Sequence, residues 1–381
     1  MRNHPIVSIV VPTKNRYKYL KQFITLVESF EDERIELFVQ DNSDDNIEIL
    51  KFLSNKNLIS TKYCYSQDIL SMGGNAERGI FNSTGEYVCF MGDDDGVCRT
   101  IADCAQWMKD NDIDAVSPLY MQYSWNEHKG RGMGSIYHEP ISNTYCIKDP
   151  QQELKKVLSQ GVTTFYGCVR LYHAIVKRSA LEKVYKVGGN LFPGPTPDIS
   201  SAVSLSFTVE KYVYLNIPVT IPGMSRMVGG GVMGRVLTLD EVSFITDKDR
   251  RDWVEGFPPM WASEIIWPDG ALNALKYMGR EDFIKYFSKN KMLARLVAVH
   301  KKYFNVAFKY ADNKSKFLLD FVLYFIGEGV KFFGHKVLAK INGRTNGIYI
   351  TKDGFNSIAD AEQYLMEQMK DFSYRRLKCT C

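Results

Sequence analysis

Ile6-Val7-Ser8-Ile9-Val10-Val11 is almost unbroken in β-branched residues, the pattern of a strand buried on both faces of a parallel sheet. Such a strand needs helices above and below it, and the chain supplies them in alternation. Pro12 ends the run, and the polar loop Thr13-Lys14-Asn15-Arg16 leads into Tyr17 to about Phe30, where Leu20, Phe23, Ile24, Val27 and Phe30 recur at helical spacing. Glu36 to Gln40 reads as a second strand, stopped by Asp41-Asn42-Ser43-Asp44-Asp45, residues that favour turns and caps. Ile47 to Leu53 is the next expected helix and Lys62 to Tyr65 the third strand. Gly73-Gly74-Asn75 then starts a short helix, and Gly85 turns the chain into a strand over Tyr87 to Met91. This alternation predicts an α/β fold with a mostly parallel sheet, whose ligands gather at the carboxyl ends of its strands.

Asp93-Asp94-Asp95, between Gly92 and Gly96, follows the fourth strand directly. Like charges this close repel, so they need solvent, a cationic side chain or a divalent cation. Taken alone the triplet is either an acidic surface turn or a site for Mn2+ or Mg2+, ions that prefer hard oxygen ligands and often share their shell with phosphates. Thr13 to Arg16 and Asp41 to Ser43 also follow strands, so the topology brings all three polar groups to one rim, which favours the metal. Neither G-x-G-x-x-G nor GxxxxGK[ST] follows the first strand, which argues against a dinucleotide fold and a P-loop.

The remaining composition narrows the class. A net charge of +4 over 381 residues is too small for a dedicated nucleic-acid binder. Eight scattered cysteines without CxxC spacing predict reduced thiols and a cytoplasmic chain. The early first strand predicts no cleaved leader, and no apolar stretch reaches the roughly 18 to 20 residues that cross a bilayer.

Val7-Ser8-Ile9-Val10-Val11-Pro12-Thr13-Lys14-Asn15-Arg16, Gln40-Asp41-Asn42-Ser43, Gly79 before Gly85-Glu86-Tyr87, and Phe90-Met91-Gly92-Asp93-Asp94-Asp95 together resemble the opening half of a family 2 glycosyltransferase with a GT-A fold. The resemblance covers residues 6 to 110 well and extends loosely to about 230. It implies a nucleotide-sugar donor such as a UDP-sugar, a divalent cation and transfer with inversion at the anomeric carbon. Carried over residue by residue, it lays Pro12, Thr13, Asn15 and Arg16 along the donor and sets Asp41 against the base. Asp93 would meet the ribose or lie beside the metal, Asp94 would ligate the metal, and Asp95 would support it or face the sugar. The chain departs from the family at Gly92, where many relatives carry the first Asp. It departs again at Gly74-Asn75-Ala76-Glu77-Arg78-Gly79, which leaves Asn75 or Arg78 for the base pocket, Asn75 being alternatively a simple helix cap.

Further on, Thr100 to Asn111 reads as a helix and Asp114 to Pro118 as a strand, whereas Tyr120 to about Asn143 reads as loop on the acceptor side. His128, His138 and His173 lack ligand-like spacing and read as surface or structural residues. Gln152 to Leu158 reads as a helix, and 167–176 as a strand pair or a strand and turn. Prolines at 193, 195 and 197 stiffen the approach to Asp198. In the resembling family an acidic residue at such a helix start is the catalytic base; by itself Asp198 could equally be a cap. Gly229 to Gly234, between Arg226 and Arg235, reads as a closing loop whose arginines could meet a diphosphate, or as a plain connector.

We divide the chain into a catalytic domain over 1–240, with a donor half (1–117) and an acceptor half (118–240), and a mainly helical region over 241–381. Ser263 to Tyr277, Glu281 to His300 and Lys314 to Lys340 are its expected helices. From 271 to 344, fifteen Lys or Arg stand against five Asp or Glu, so this region either contacts the membrane peripherally on its inner face or packs on the sheet or on a second subunit of a homo-oligomer. The expected enzyme is an inverting hexosyl- or N-acetylhexosaminyltransferase acting on a saccharide acceptor, lipid-linked, in surface polysaccharide, O-antigen or capsule synthesis. Two rivals are a sugar-nucleotide pyrophosphorylase, which wants a Gly-rich basic loop in place of Pro12 to Asn15, and a catalytically silent sugar- or lipid-binding module.

Overall fold

The structure, a computed structural model, describes residues 4–68, 70–127, 134–165, 167–226, 235–242, 245, 247–327 and 350–380. Its first half follows the expected alternation: β1 (Val7–Thr13), α1 (Tyr17–Glu28), β2 (Ile35–Asp41), α2 (Ile47–Leu53), β3 (Thr61–Tyr65), α3 (Met72–Asn82) and β4 (Tyr87–Phe90). After the short β5 (Gly96–Val97) come α4 (Ile101–Asp110) and β6 (Ala115–Pro118). β1 lies between β2 and β4, parallel to both. Its side chains alternate as a doubly covered strand requires: Val7, Ile9 and Val11 enter one core with α1 and α4, while Val10 enters another with Ala76 and Ile80 of α3.

The acceptor half departs from the reading of Tyr120 to Asn143 as loop. It contains β7 (Met121–Ser124) and β8 (Ser135–His138), an antiparallel pair in a second sheet, followed by β9 (Thr144–Lys148) in the main sheet. After α5 (Pro150–Ser159), β10 (Ile175–Lys177) runs antiparallel between β4 and β6. Then follow α6 (Arg178–Gly188), α7 (Pro197–Leu205), β11 (Tyr212–Leu215) beside β6, β12 (Thr220–Ile221) and β13 (Gly223–Met224). The result is a mixed α/β, GT-A-like fold, a mostly parallel nine-stranded sheet flanked by helices.

β14 (Leu237–Thr238), α8 (Asp247–Arg251) and β15 (Met260–Trp261) lead into the helical region: α9 (Ser263–Tyr277), α10 (Lys289–Val299), α11 (Phe304–Tyr310) and α12, described over 314–327. The expected helix from Glu281 to His300 is broken. A 3-10 turn over Glu281–Tyr286 gives way to extended Phe287, and Ser288 restarts the chain by capping α10. These helices share their core with α5 and α7.

The final segment does not continue the helical region. β16 (Ile350–Asp353) pairs with β8, α13 (Ile358–Gln368) joins the core of β1 and α1, and β17 (Lys378–Cys379) adds to β9 at the edge of the main sheet. The boundary drawn at 241 therefore separates sheet from helices only as far as α12. Cys146 on β9 is disulfide-bonded, against the expectation of reduced thiols, while Cys64, Cys89, Cys98, Cys104 and Cys168 are free. Among the described residues no helix is long and apolar enough to cross a membrane.

α13 is anchored just behind the acidic loop. Arg99 donates to Glu362 from its backbone N–H at 3.1 Å, from Nε at 2.9 Å and from Nη2 at 2.8 Å. The Glu362 side chain is 2% exposed whereas that of Arg99 is 57% exposed, so the two ends of the pair are not equivalent. Arg99→Ala strands a buried carboxylate and should cost about 3 kcal/mol. Glu362→Gln leaves a guanidinium that water can solvate and should cost about 1 kcal/mol. Urea denaturation of both variants checks this order.

Candidate active site

The site forms where β1, β2, β3 and β4 end. Met91 donates to the Val10 carbonyl at 3.0 Å, and beyond this last sheet bond the chain turns into the acidic loop. Asp93, Asp94 and Asp95 are all nearly buried, none more than 5% exposed. Each has different partners. Asp93 accepts from Thr13 Oγ1 at 2.7 Å and pairs with Arg16 Nε at 3.0 Å. Asp94 pairs with Arg16 Nη2 at 2.8 Å, and the same nitrogen donates to Ser225 Oγ at 2.9 Å. Asp95, expected to support the metal, has both oxygens engaged: Oδ1 by the Gly223 N–H at 2.6 Å, and Oδ2 by the Gly92 N–H at 2.6 Å and by His173 Nε2 at 2.7 Å.

Burial pushes the Asp93 carboxyl up to about 7, with Asp94 adding to the rise and Arg16 opposing it. Asp94 is raised by burial and then by Asp95. A single guanidinium thus serves two buried carboxylates, and the donor set is hard oxygen, which fits Mn2+ or Mg2+. Among the described residues no three His, Cys, Asp or Glu side chains converge as a complete metal cage. A cation here would take only Asp93 and Asp94 from the protein and the rest of its shell from water or a bound phosphate, as such ions commonly do.

The loop after β2 carries Asp41, fully buried. Its Oδ2 accepts from the hydroxyls of Tyr17 at 2.7 Å and Tyr63 at 2.6 Å, and its Oδ1 accepts from the Ser43 N–H at 2.8 Å. Oδ1 keeps room for one further donor. Asn15, at φ 58°, bonds Ser43 Oγ through its N–H at 2.7 Å and Asp44 Oδ2 through Nδ2 at 2.9 Å, tying the β1 loop to the β2 loop. Pro12, partly exposed, closes the end of β1. Ser71, not Asn75, caps α3. Asn75 instead donates from Nδ2 to the carbonyls of Gln40 at 3.2 Å and Thr13 at 3.4 Å. Arg78 reaches the β3 loop at Ser66 Oγ and Asp68 Oδ2, both at 2.6 Å.

Across the rim stands Asp198, the second residue of α7 after Pro197 at its first position, with Thr196 in the cap position. Asp198 is therefore not the cap. Burial raises its carboxyl above the ordinary range, against backbone N–H groups and His173, which lower it. Tyr172 and His173 lie between the two acidic groups. Burial and then the charges of Asp95 and Asp94 drive the Tyr172 hydroxyl far up, with Asp198 contributing. The two rings stack at 3.8 Å, and His173 takes a left-handed φ of 60°, rare outside glycine and a mark of a constrained position.

Tyr172 also accounts for Gly92. A Cβ there would lie 2.9 Å from the Tyr172 hydroxyl and 3.1 Å from carboxylate oxygens of both Asp94 and Asp95. Tyr172, His173, Gly223 and Ser225 escaped sequence reasoning, which treated His173 as structural. They lie just before β10 and in or just after β13, strands whose positions beside the acidic loop depend on an antiparallel insertion and a two-residue pairing that no local pattern announces. Of the other candidates, Arg226 follows Ser225 and its charge acts on Glu127. The charge of Arg235 acts on Glu241. The segment 229–234 between them lies outside the described residues, as does His128. His138 donates from Nδ1 to the Glu139 carbonyl and bonds the Tyr364 hydroxyl through Nε2, as a structural residue does.

Residues 8–181 match the sequence model of Glycosyl transferase family 2. No curated protein matches the chain by sequence. Solved structures similar to the chain include S. aureus TarS 1-349 in complex with UDP-GlcNAc, at 14% identity and a TM-score of 0.47 over 84% of this chain and 92% of that one. S. aureus TarS 1-349 itself has a TM-score of 0.44 at 14% identity over 83% and 88%.

Gly223 fixes the acidic loop from the far side. An added Cβ would sit 1.8 Å from the Asp94 carbonyl oxygen, a backbone atom that also accepts from Trp125 Nε1 at 2.8 Å. Gly223→Ala should therefore displace the loop and cost about 2 kcal/mol of stability, read as a lower denaturation midpoint.

Proposed function

We propose that the chain is an inverting glycosyltransferase that moves a sugar from a UDP-sugar to a hydroxyl of a saccharide acceptor. The observation that carries this reading is the arrangement of Asp93 and Asp94, cross-linked by Arg16 at the carboxyl ends of the first strands, with a second, separately raised carboxylate at Asp198. The family match over 8–181 supports it. A pyrophosphorylase is disfavoured because the β1 loop offers Pro12, Thr13 and Asn15 rather than a glycine-rich cradle.

In this reading Asp41, braced by Tyr17 and Tyr63, and Asn75, held beside it, orient the base, while Thr13 and Asn15 line the nucleoside and Arg16 and Arg226 serve the diphosphate. Asp93 and Asp94 would hold Mn2+ or Mg2+, and a cation there would supply positive charge to the departing diphosphate. Asp198 takes the proton of the acceptor hydroxyl. The hydroxyl oxygen bonds to the anomeric carbon as the carbon–diphosphate bond breaks on the opposite face, and UDP leaves. Burial suits Asp198 to this role, since a raised carboxyl is the stronger base. His173 and the two N–H donors keep Asp95 out of the chemistry by fixing it to the loop. A lipid-linked acceptor in surface polysaccharide assembly, reached from the cytoplasm, completes the proposal.

A panel of UDP-sugars assayed with manganese tests it. Asp94→Ala should lose metal-dependent turnover. Asp198→Asn should keep thermal stabilisation by UDP yet lose transfer by about 100-fold or more, and near-normal transfer by that variant would remove Asp198 from the mechanism.

A further inference from the structure

α12 is apolar on two sides. One side holds it to the protein: Phe317 is fully buried and stacks on Phe321 at 6.3 Å and on Phe304 of α11 at 6.0 Å, and the Tyr324 hydroxyl accepts from Arg295 Nη1 of α10 at 2.7 Å. The other side faces out. Leu318, Leu319, Val322, Leu323, Phe325 and Ile326 are between 41% and 58% exposed. Their spacing places them in one stripe along the helix. A surface helix normally turns polar residues outward, so a contiguous aliphatic stripe marks a contact.

The chemistry beside the stripe identifies its occupant. At helical spacing Lys314 and Lys316 fall on its two borders; the Lys314 ammonium donates to the carbonyls of Phe308, Lys309 and Ala311, and Lys316 is exposed. Lys301, Lys302 and Lys309, exposed as well, stand on the preceding segment. From 295 to 327 six Lys or Arg meet two Asp, and one of these, Asp312, is already paired with Lys289 at 2.7 Å. Protein interfaces are depleted in lysine, whereas an aliphatic face rimmed by lysines is what anionic lipid attracts, the apolar side chains entering the acyl boundary and the ammonium groups meeting headgroups. We propose that the outer face of α12 docks on the surface of an anionic lipid bilayer, lying in the interface without crossing it.

The full chain is tested by flotation with vesicles of phosphatidylethanolamine and phosphatidylglycerol (3:1), with phosphatidylcholine vesicles as the neutral control. The wild type should float with the anionic vesicles at low salt, be released as salt rises, and bind the neutral ones at least several-fold less. Leu319→Glu with Leu323→Glu should lower the bound fraction about tenfold or more. Lys316→Gln should lower it about fivefold. Because these residues are exposed, unchanged thermal denaturation is expected and confirms that the variants fold. A wild type that stays unbound at low salt overturns the proposal, as does equal binding to both vesicle types. So does a Leu319→Glu/Leu323→Glu variant that floats like the wild type, or one whose only change is a smaller hydrodynamic mass, which would assign the stripe to a second copy. Turnover of a UDP-sugar with a water-soluble acceptor should be the same in wild type and variants, so failure of docking and failure of the transfer reading are separately visible.

Discussion

The structure depends on how three consecutive carboxylates are withdrawn from water. Asp95 is held locally by two backbone N–H groups and the His173 ring, which makes it a brace while its charge still bears on Asp94. Asp93 and Asp94 are left to share Arg16, and this unequal division is what the proposed cation site rests on. Beyond the Gly92 N–H of the loop itself, the partners come from three distant parts of the chain: Thr13 and Arg16 from the end of β1 and its loop, His173 from the approach to β10, Gly223 and Ser225 from β13 and the residue that follows it. The fold around the rim can be understood as the scaffold that assembles those partners.

The parts of this legible in sequence were those written in a local period. β1, β2 and β4 declared themselves by continuous β-branched or apolar runs, because strands buried on both faces carry no polar alternation to confuse them, and α1 by its helical spacing. The triplet declared itself by charge density after a strand. What stayed hidden was set by contacts distant in sequence. β7 and β8 mix tyrosines, serines and histidine, since one face of their small sheet meets polar surroundings, and so they resemble loop. β10 is only three residues long, and its antiparallel place between β4 and β6 is fixed by the neighbours it pairs with. Gly92 looked like a missing acid until Tyr172 was seen to fill the space an acid would need.

The site also shows how one position can move the chemistry of a motif. With Tyr172 against Gly92, the acidic run begins one residue later, and in the proposed reading the last carboxylate of the triplet serves as a structural brace. Asp93 and Asp94 then occupy the positions that face Arg16. The total of acidic groups is kept while their work is redistributed, a rearrangement that residue identity alone does not reveal.

The return of residues 350–380 to the sheet sets an order of assembly. Gly96, next to the triplet, faces Ile358, where an added Cβ would come within 2.6 Å, and Arg99 closes on Glu362. Synthesis completes β1 to β4 early, yet the surface behind the acidic loop is covered only after the helical region has been made and α13 has left the ribosome. A nascent chain that already holds β1 to β4 and the acidic loop therefore still exposes part of its core, until residues 350–380 cover it.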